Sequence, residues 1–168
     1  MQEKEIVQVQ IYKIANKLKI NQTVVNKIIN SYISECRVDL LSGAPIRFLG
    51  LCWVEPDIIA TDRTMTLGAY ANRVALQVRA PMYTCYRVLE EYLSMLRDLL
   101  LQGKAVDIRT ICTLKPVFEG TEIRSIYTCV SSTLKKDIEE GNYIVTSVRV
   151  HTLKDMRQTV KEVTVNVG

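Results

Sequence analysis

Residues 24–56 read VVNKIINSYISECRVDLLSGAPIRFLGLCWVEP, and this stretch decides the fold. Val24, Val25, Ile28, Ile29, Tyr32, Ile33 and Cys36 fall as adjacent pairs repeated about every fourth residue. That spacing lays a wide apolar stripe along one side of a helix. Gly43 supplies a stop, because a residue without Cβ can take the left-handed conformation that closes a helix. Beyond Pro45, the residues Ile46, Phe48, Leu51, Trp53 and Ile58 predict a strand, with Gly50 as a bulge or a point of close backbone approach. Trp53 is expected to pack into the first sheet.

The pattern returns at an offset of sixty residues. Tyr32 meets Tyr92, Leu40 and Leu41 meet Leu100 and Leu101, Gly43 meets Gly103, Cys52 meets Cys112, and Pro56 meets Pro116. Ile28 with Val88, Ile33 with Leu93 and Phe48 with Ile108 are conservative matches, and no gap is needed. One supersecondary unit is therefore used twice.

Upstream, Ile11, Ile14, Ala15 and Leu18 predict a first helix over 3–18, and Asn21 reads as the N-cap of the second. Asp62-Arg63-Thr64 predicts a loop. Val74, Leu76 and Val78 alternate with Ala75, Gln77 and Arg79, and Gly68 and Pro81 bracket them. A strand is the preferred reading there, although the repeat offset favours a helix. A helix follows over 83–102, then a strand over 105–118. The last third is β-rich over 123–130, 143–153 and 160–167, with one helical turn over 134–140. The chain is thus expected to be α+β, with helices on a largely antiparallel sheet, divided as 1–80 and 81–168.

The 168 residues include 48% hydrophobic ones, enough to bury a core. Net charge is +4, from 22 basic and 18 acidic residues, with no concentrated positive field of the kind that grips phosphates. Cys36, Cys52, Cys85, Cys112 and Cys129 are odd in number and widely spaced, and each falls in an apolar pattern. Buried free thiols in a reducing compartment are expected. Met1–Glu5 is charged and no apolar stretch follows, so neither a secretory leader nor a membrane span is expected.

No catalytic, cofactor or metal site emerges. His151 is the single histidine, placed in a strand-like run with no nucleophile beside it, and reads as a strand-surface residue. The cysteines lack zinc-ligand spacing, and the glycines form no phosphate loop. The carboxylate pairs Glu90-Glu91 and Glu139-Glu140 read as solvated helix faces. Eight tyrosines against two phenylalanines suit protein interfaces, with Tyr70, Tyr83 and Tyr86 as candidate contacts.

The helix ending Asp39-Leu40-Leu41-Ser42-Gly43, followed by Pro45-Ile46-Arg47-Phe48-Leu49-Gly50-Leu51-Cys52-Trp53, resembles the HU and integration host factor (IHF) family. That family joins a helical hairpin to a strand carrying a Gly–aromatic–Gly motif and then to a long β-arm. Gly50 keeps one of the two glycines; Cys52 stands for the other and Leu51 for the aromatic residue. The second copy, over 83–116, is similar but keeps neither, with Thr110 aligned to Gly50. The resemblance implies tandem HU/IHF-like units, each a helical hairpin plus antiparallel sheet, with a β-rich C-terminal segment.

The resemblance also implies DNA binding through basic arms tipped by a wedging proline. Here Asp57 to Arg73 holds only Arg63 and Arg73 as bases and no proline, and the second arm candidate, Phe118 to Leu134, holds Arg124 and no proline. If DNA is bound, Arg47, Arg63 and Arg73 are the expected phosphate contacts, and binding is expected to be weak. A duplicated, mildly charged HU-like chain also resembles the HU-like ring subunits of crAss-like bacteriophage tails. That likeness implies a non-enzymatic virion protein, made in the host cytoplasm. Its expected partners are copies of itself and other tail or neck proteins, with no small-molecule substrate. The strand-like residues 159–167 are candidates either for pairing with a neighbour or for completing the second unit's own sheet.

Overall fold

In the computed structural model, residues 6–152 are described. The chain runs β1 (Ile6–Val7), α1 (Ile11–Leu18), α2 (Gln22–Leu41), β2 (Ile46–Phe48) and β3 (Cys52–Pro56). It continues through α3 (Leu67–Val78), α4 (Met82–Leu101), β4 (Ala105–Ile108), β5 (Cys112–Glu119), β6 (Glu122–Val130), α5 (Ser132–Glu140) and β7 (Val148–Thr152). The class is α+β. The β-rich reading of 160–167 lies outside the described residues.

A helix–helix–β-hairpin unit occurs twice, and its backbone details repeat at the offset read from the sequence. α1 and α3 both end on a left-handed residue, Lys19 and Arg79, whose amides bond the carbonyls of Ala15 and Ala75. α2 and α4 begin and end sixty residues apart. Each closes on a glycine with positive φ, Gly43 and Gly103, and the amides of Ala44 and Lys104 reach back to the carbonyls of Asp39 and Leu99. This 6→1 bond satisfies carbonyls that a helix end leaves free. The hairpin turns carry Gly50 at φ 77° and Thr110 at φ 57°.

Several expectations are corrected. Residues 74–78 are helical: α3 buries Leu67, Tyr70, Ala71 and Val74, a helical spacing, and leaves Leu76 78% exposed. Residues 80 and 81, the expected boundary, lie between α3 and α4. The stretches 46–55 and 105–118 are each two strands, because the positive φ at Gly50 and Thr110 reverses the chain instead of bulging it. The first helix starts at Ile11 and is preceded by a short strand, and α5 is a full nine-residue helix. Trp53 points away from the core, since β3 buries Cys52, Val54 and Pro56. Leu51, from which its alternation is counted, lies in the turn. Cys129 is exposed on β6, whereas the other four thiols are buried.

Two antiparallel-based sheets form, in the orders β2–β3–β7 and β1–β4–β5–β6. Each takes a strand from the far end of the chain. β1, which precedes the first helical hairpin, pairs in parallel with β4 of the second unit, Ile6 against Ala105. β7, the last described strand, pairs antiparallel with β3 of the first unit, Trp53 against His151. The counterpart of Ala105 is Pro45, which has no amide hydrogen for a ladder; among the described residues no strand pairs with the outer edge of β2. One continuous apolar core joins both units, with the paired positions Tyr32 and Tyr92, Phe48 and Ile108, and Cys52 and Cys112 all buried.

Candidate interaction surface

Where the halves meet, equivalent side chains make reciprocal bonds. Arg37 of α2 donates through Nη1 to the Thr110 carbonyl at 2.8 Å, and Arg97 of α4 donates through Nη1 to the Gly50 carbonyl at 2.6 Å. Arg37 also pairs through Nη2 with Asp137 of α5. Each helix thus grips the other unit's hairpin turn. Arg109, in the second turn, donates to the side-chain oxygens of Asn26 at 3.0 Å and Asn30 at 2.6 Å. At the centre, a hydrogen bond to the Cys52 thiol, together with burial, holds the Cys112 thiol well above its ordinary range.

The helical layer carries its own polar cluster. Arg73 of α3 reaches Asp39 at 3.0 Å and Glu35 at 3.3 Å, both on α2, and the Tyr70 hydroxyl donates to Asp39 at 2.7 Å. Gln77 bonds Glu35 and Ser31. Burial first, then the nearby Cys36 and the bond to Asp39, push the Tyr70 phenol far up.

Arg47, Arg63 and Arg73 are not brought to one face. Arg47 is exposed on β2, across from Trp53. Arg63 lies in the loop between β3 and α3, where its backbone amide meets the Thr61 hydroxyl at 3.3 Å. Arg73 is committed to two carboxylates of α2. The stretch expected as a first arm is this loop plus the start of α3. Asp57 anchors the loop: its carboxylate accepts from the amides of Thr146 at 2.9 Å and Ser147 at 3.2 Å and from the Thr146 hydroxyl. Those bonds, that to the hydroxyl foremost, hold its pKa below the usual carboxylate value. The second arm candidate is the β5–β6 hairpin, whose end carries Glu119, Gly120 and Glu122. Phe118 there lies over Gly103, where an added Cβ would come within 2.4 Å of its ring.

Among the described residues, the outward sheet faces are left open. On the first, Arg47, Trp53 and His151 form a row across β2, β3 and β7, with Glu55 and Arg149 in the next row. Trp53 is 43% exposed and its ring lies 5.2 Å from that of His151, whose Nε2 is 3.3 Å from Glu55. On the second, Asp107, Thr113 and Cys129 form a row, followed by Lys115 and Tyr127, the latter 60% exposed. Past β3, on the two segments tied by Asp57, the apolar residues Ile58, Ile59, Tyr143 and Ile144 are exposed. Of the tyrosines singled out in the sequence, Tyr70 is buried, Tyr86 packs on the core, and Tyr83 is exposed beneath Arg87.

His151 lies on the strand surface where its sequence context puts it, and its Nε2 faces the Glu55 carboxylate, a partner that the sequence did not suggest. Among the described residues, no group of His, Cys, Asp or Glu could hold a metal ion, and no helix is long and apolar enough to cross a membrane. No family model, curated protein or solved structure matches the chain.

Proposed function

We propose that the protein is a non-enzymatic structural component of a virion. In this reading it is a fused pair of HU/IHF-like units that assembles by protein–protein contacts into a ring of a phage tail or neck. The reading rests above all on the outward sheet faces. They mix charges of both signs around exposed aromatic rings, Trp53 on one and Tyr127 on the other. Such surfaces suit protein partners, whose interfaces are enriched in aromatic residues; duplex DNA selects for accumulated Lys and Arg. The acidic end of the β5–β6 hairpin and the carboxylate-bound Arg73 weigh the same way. The exposed Ile58, Ile59, Tyr143 and Ile144 add apolar area for neighbouring proteins of the particle.

The test is direct. Purified protein is weighed by mass measurement and imaged by electron microscopy, and titrated with duplex DNA at ~0.15 M salt. A closed ring or a regular stack is expected, with little DNA bound. A monomer that binds duplex tightly, with an affinity that collapses as salt is added, would establish the architectural DNA-binding role instead.

A further inference from the structure

The two outward faces carry opposite charges at equivalent positions. Arg47 on β2 corresponds to Asp107 on β4, and Glu55 on β3 to Lys115 on β5, each pair sixty residues apart. All four point outward: their strand neighbours Ile46, Phe48, Val54, Val106, Ile108 and Leu114 are buried. The repeat preserves the backbone there and inverts the sign of both side chains. The sheets as wholes follow suit. In the first, the charged strand residues are Arg47 and Arg149 against Glu55, one net positive charge; in the second, Lys115 and Arg124 against Asp107, Glu119 and Glu122, one net negative charge.

We infer that the outward face of the β2–β3–β7 sheet in one copy docks on the outward face of the β1–β4–β5–β6 sheet in the next, joining copies head to tail. A half-turn about the in-plane line from Arg47 to Glu55 lays Asp107 over Arg47 and Lys115 over Glu55, because the two units share one strand geometry. Like faces in that register set Arg on Arg and Glu on Glu, and they repel. Charge complementarity of this kind selects the partner and its orientation, while desolvation of Trp53 and Tyr127 supplies contact area. An interface between unlike faces closes into a ring or continues as a filament. The inference rests on the proposed self-assembly and names its contact.

Charge reversal tests it on the full chain, by sedimentation at ~0.15 M salt. The variant R47D/E55K should assemble only at concentrations about tenfold higher or more than wild type. Adding D107R/K115E to it should restore assembly. If R47D/E55K assembles like wild type, the contact between unlike faces is overturned, and self-assembly in another arrangement stands. That result would also fit copies joined like face to like, in which Arg47 opposes Glu55 and their joint reversal preserves the match. A wild-type protein that stays monomeric at every concentration overturns both this contact and the self-assembly reading. Duplex DNA bound through Arg47 and Arg149 overturns the contact in favour of a nucleic-acid face.

Discussion

Arg37 and Arg97 make one hydrogen bond in two opposite senses, each guanidinium capping the backbone of the other half's hairpin turn. The halves therefore associate as two subunits of a symmetric dimer would, with each giving and receiving the same contact. Replacing Arg97 by Met leaves the Gly50 carbonyl without its charged donor. A loss of about 1–3 kcal/mol is expected, read as a lower urea midpoint. Arg37→Met should cost at least as much, because it also strands Asp137.

The two turns make a second comparison. Thr110 holds φ 57° where its counterpart is glycine. A β-branched residue is strained there, so Thr110→Gly should stabilise by about 1 kcal/mol despite the entropy lost by glycine. Gly50→Ala should destabilise, since φ is 77° and the new Cβ would lie 2.8 Å from Arg97 Nη1. Thermal melts of the two variants should move in opposite directions.

Two buried tyrosines should also diverge. The Tyr92 hydroxyl is buried without a hydrogen bond of good geometry, while that of Tyr70 donates to Asp39. Tyr92→Phe is expected to be neutral or stabilising by up to about 1 kcal/mol, and Tyr70→Phe to cost about 1–2 kcal/mol. Denaturant titration of both variants checks the contrast.

The protein should be labile to alkali. Burial raises the Tyr32, Tyr70 and Cys36 groups well above their ordinary values and lifts Tyr92 to about 12; a bond to Cys52, then burial, raises Cys112. Each is an acid held protonated by the fold. Unfolded, the thiols lose protons near pH 9 and the phenols near pH 10, so the unfolded state then binds fewer protons than the native one. Their contribution to stability is complete below about pH 9 and falls as pH rises, by about 1.4 kcal/mol per pH unit for each group that has passed its unfolded pKa but not its folded one. Melting temperatures measured from pH 7 to 11 should drop ever more steeply above 9. A flat profile across that range would contradict the burial assigned to these groups.

Local periodicity carried much of this fold. The stripe from Val25 to Cys36, the Gly43 and Gly103 stops and the sixty-residue offset are all read from side-chain spacing, and the repeat then holds in the backbone. The misread segment, α3, shows where such spacing fails. Val74, Leu76 and Val78 alternate, but Val74 is buried and Leu76 is solvent-exposed, so their period of two is accidental. The offset match of Ile14 and Ala15 with Val74 and Ala75 carried the better signal. Trp53 departs from its local alternation because the tight turn at Gly50 shifts which neighbours share its face. The candidate surface was legible only as single residues. The rows Arg47–Trp53–His151 and Lys115–Tyr127 come from strand register, and the pairing of β7 with β3 spans almost a hundred residues that no local pattern connects.

That long-range pairing also sets a timetable. A ribosome delivers β2 and β3 early, yet the strand that covers the β3 edge is made last among the described elements. The opening sheet must wait, one flank bare, until nearly all of the second unit has emerged. Translation thus postpones closure of this sheet until β5, β6 and α5 have been made, and during that wait a chaperone or a neighbouring nascent chain can reach the uncovered strand.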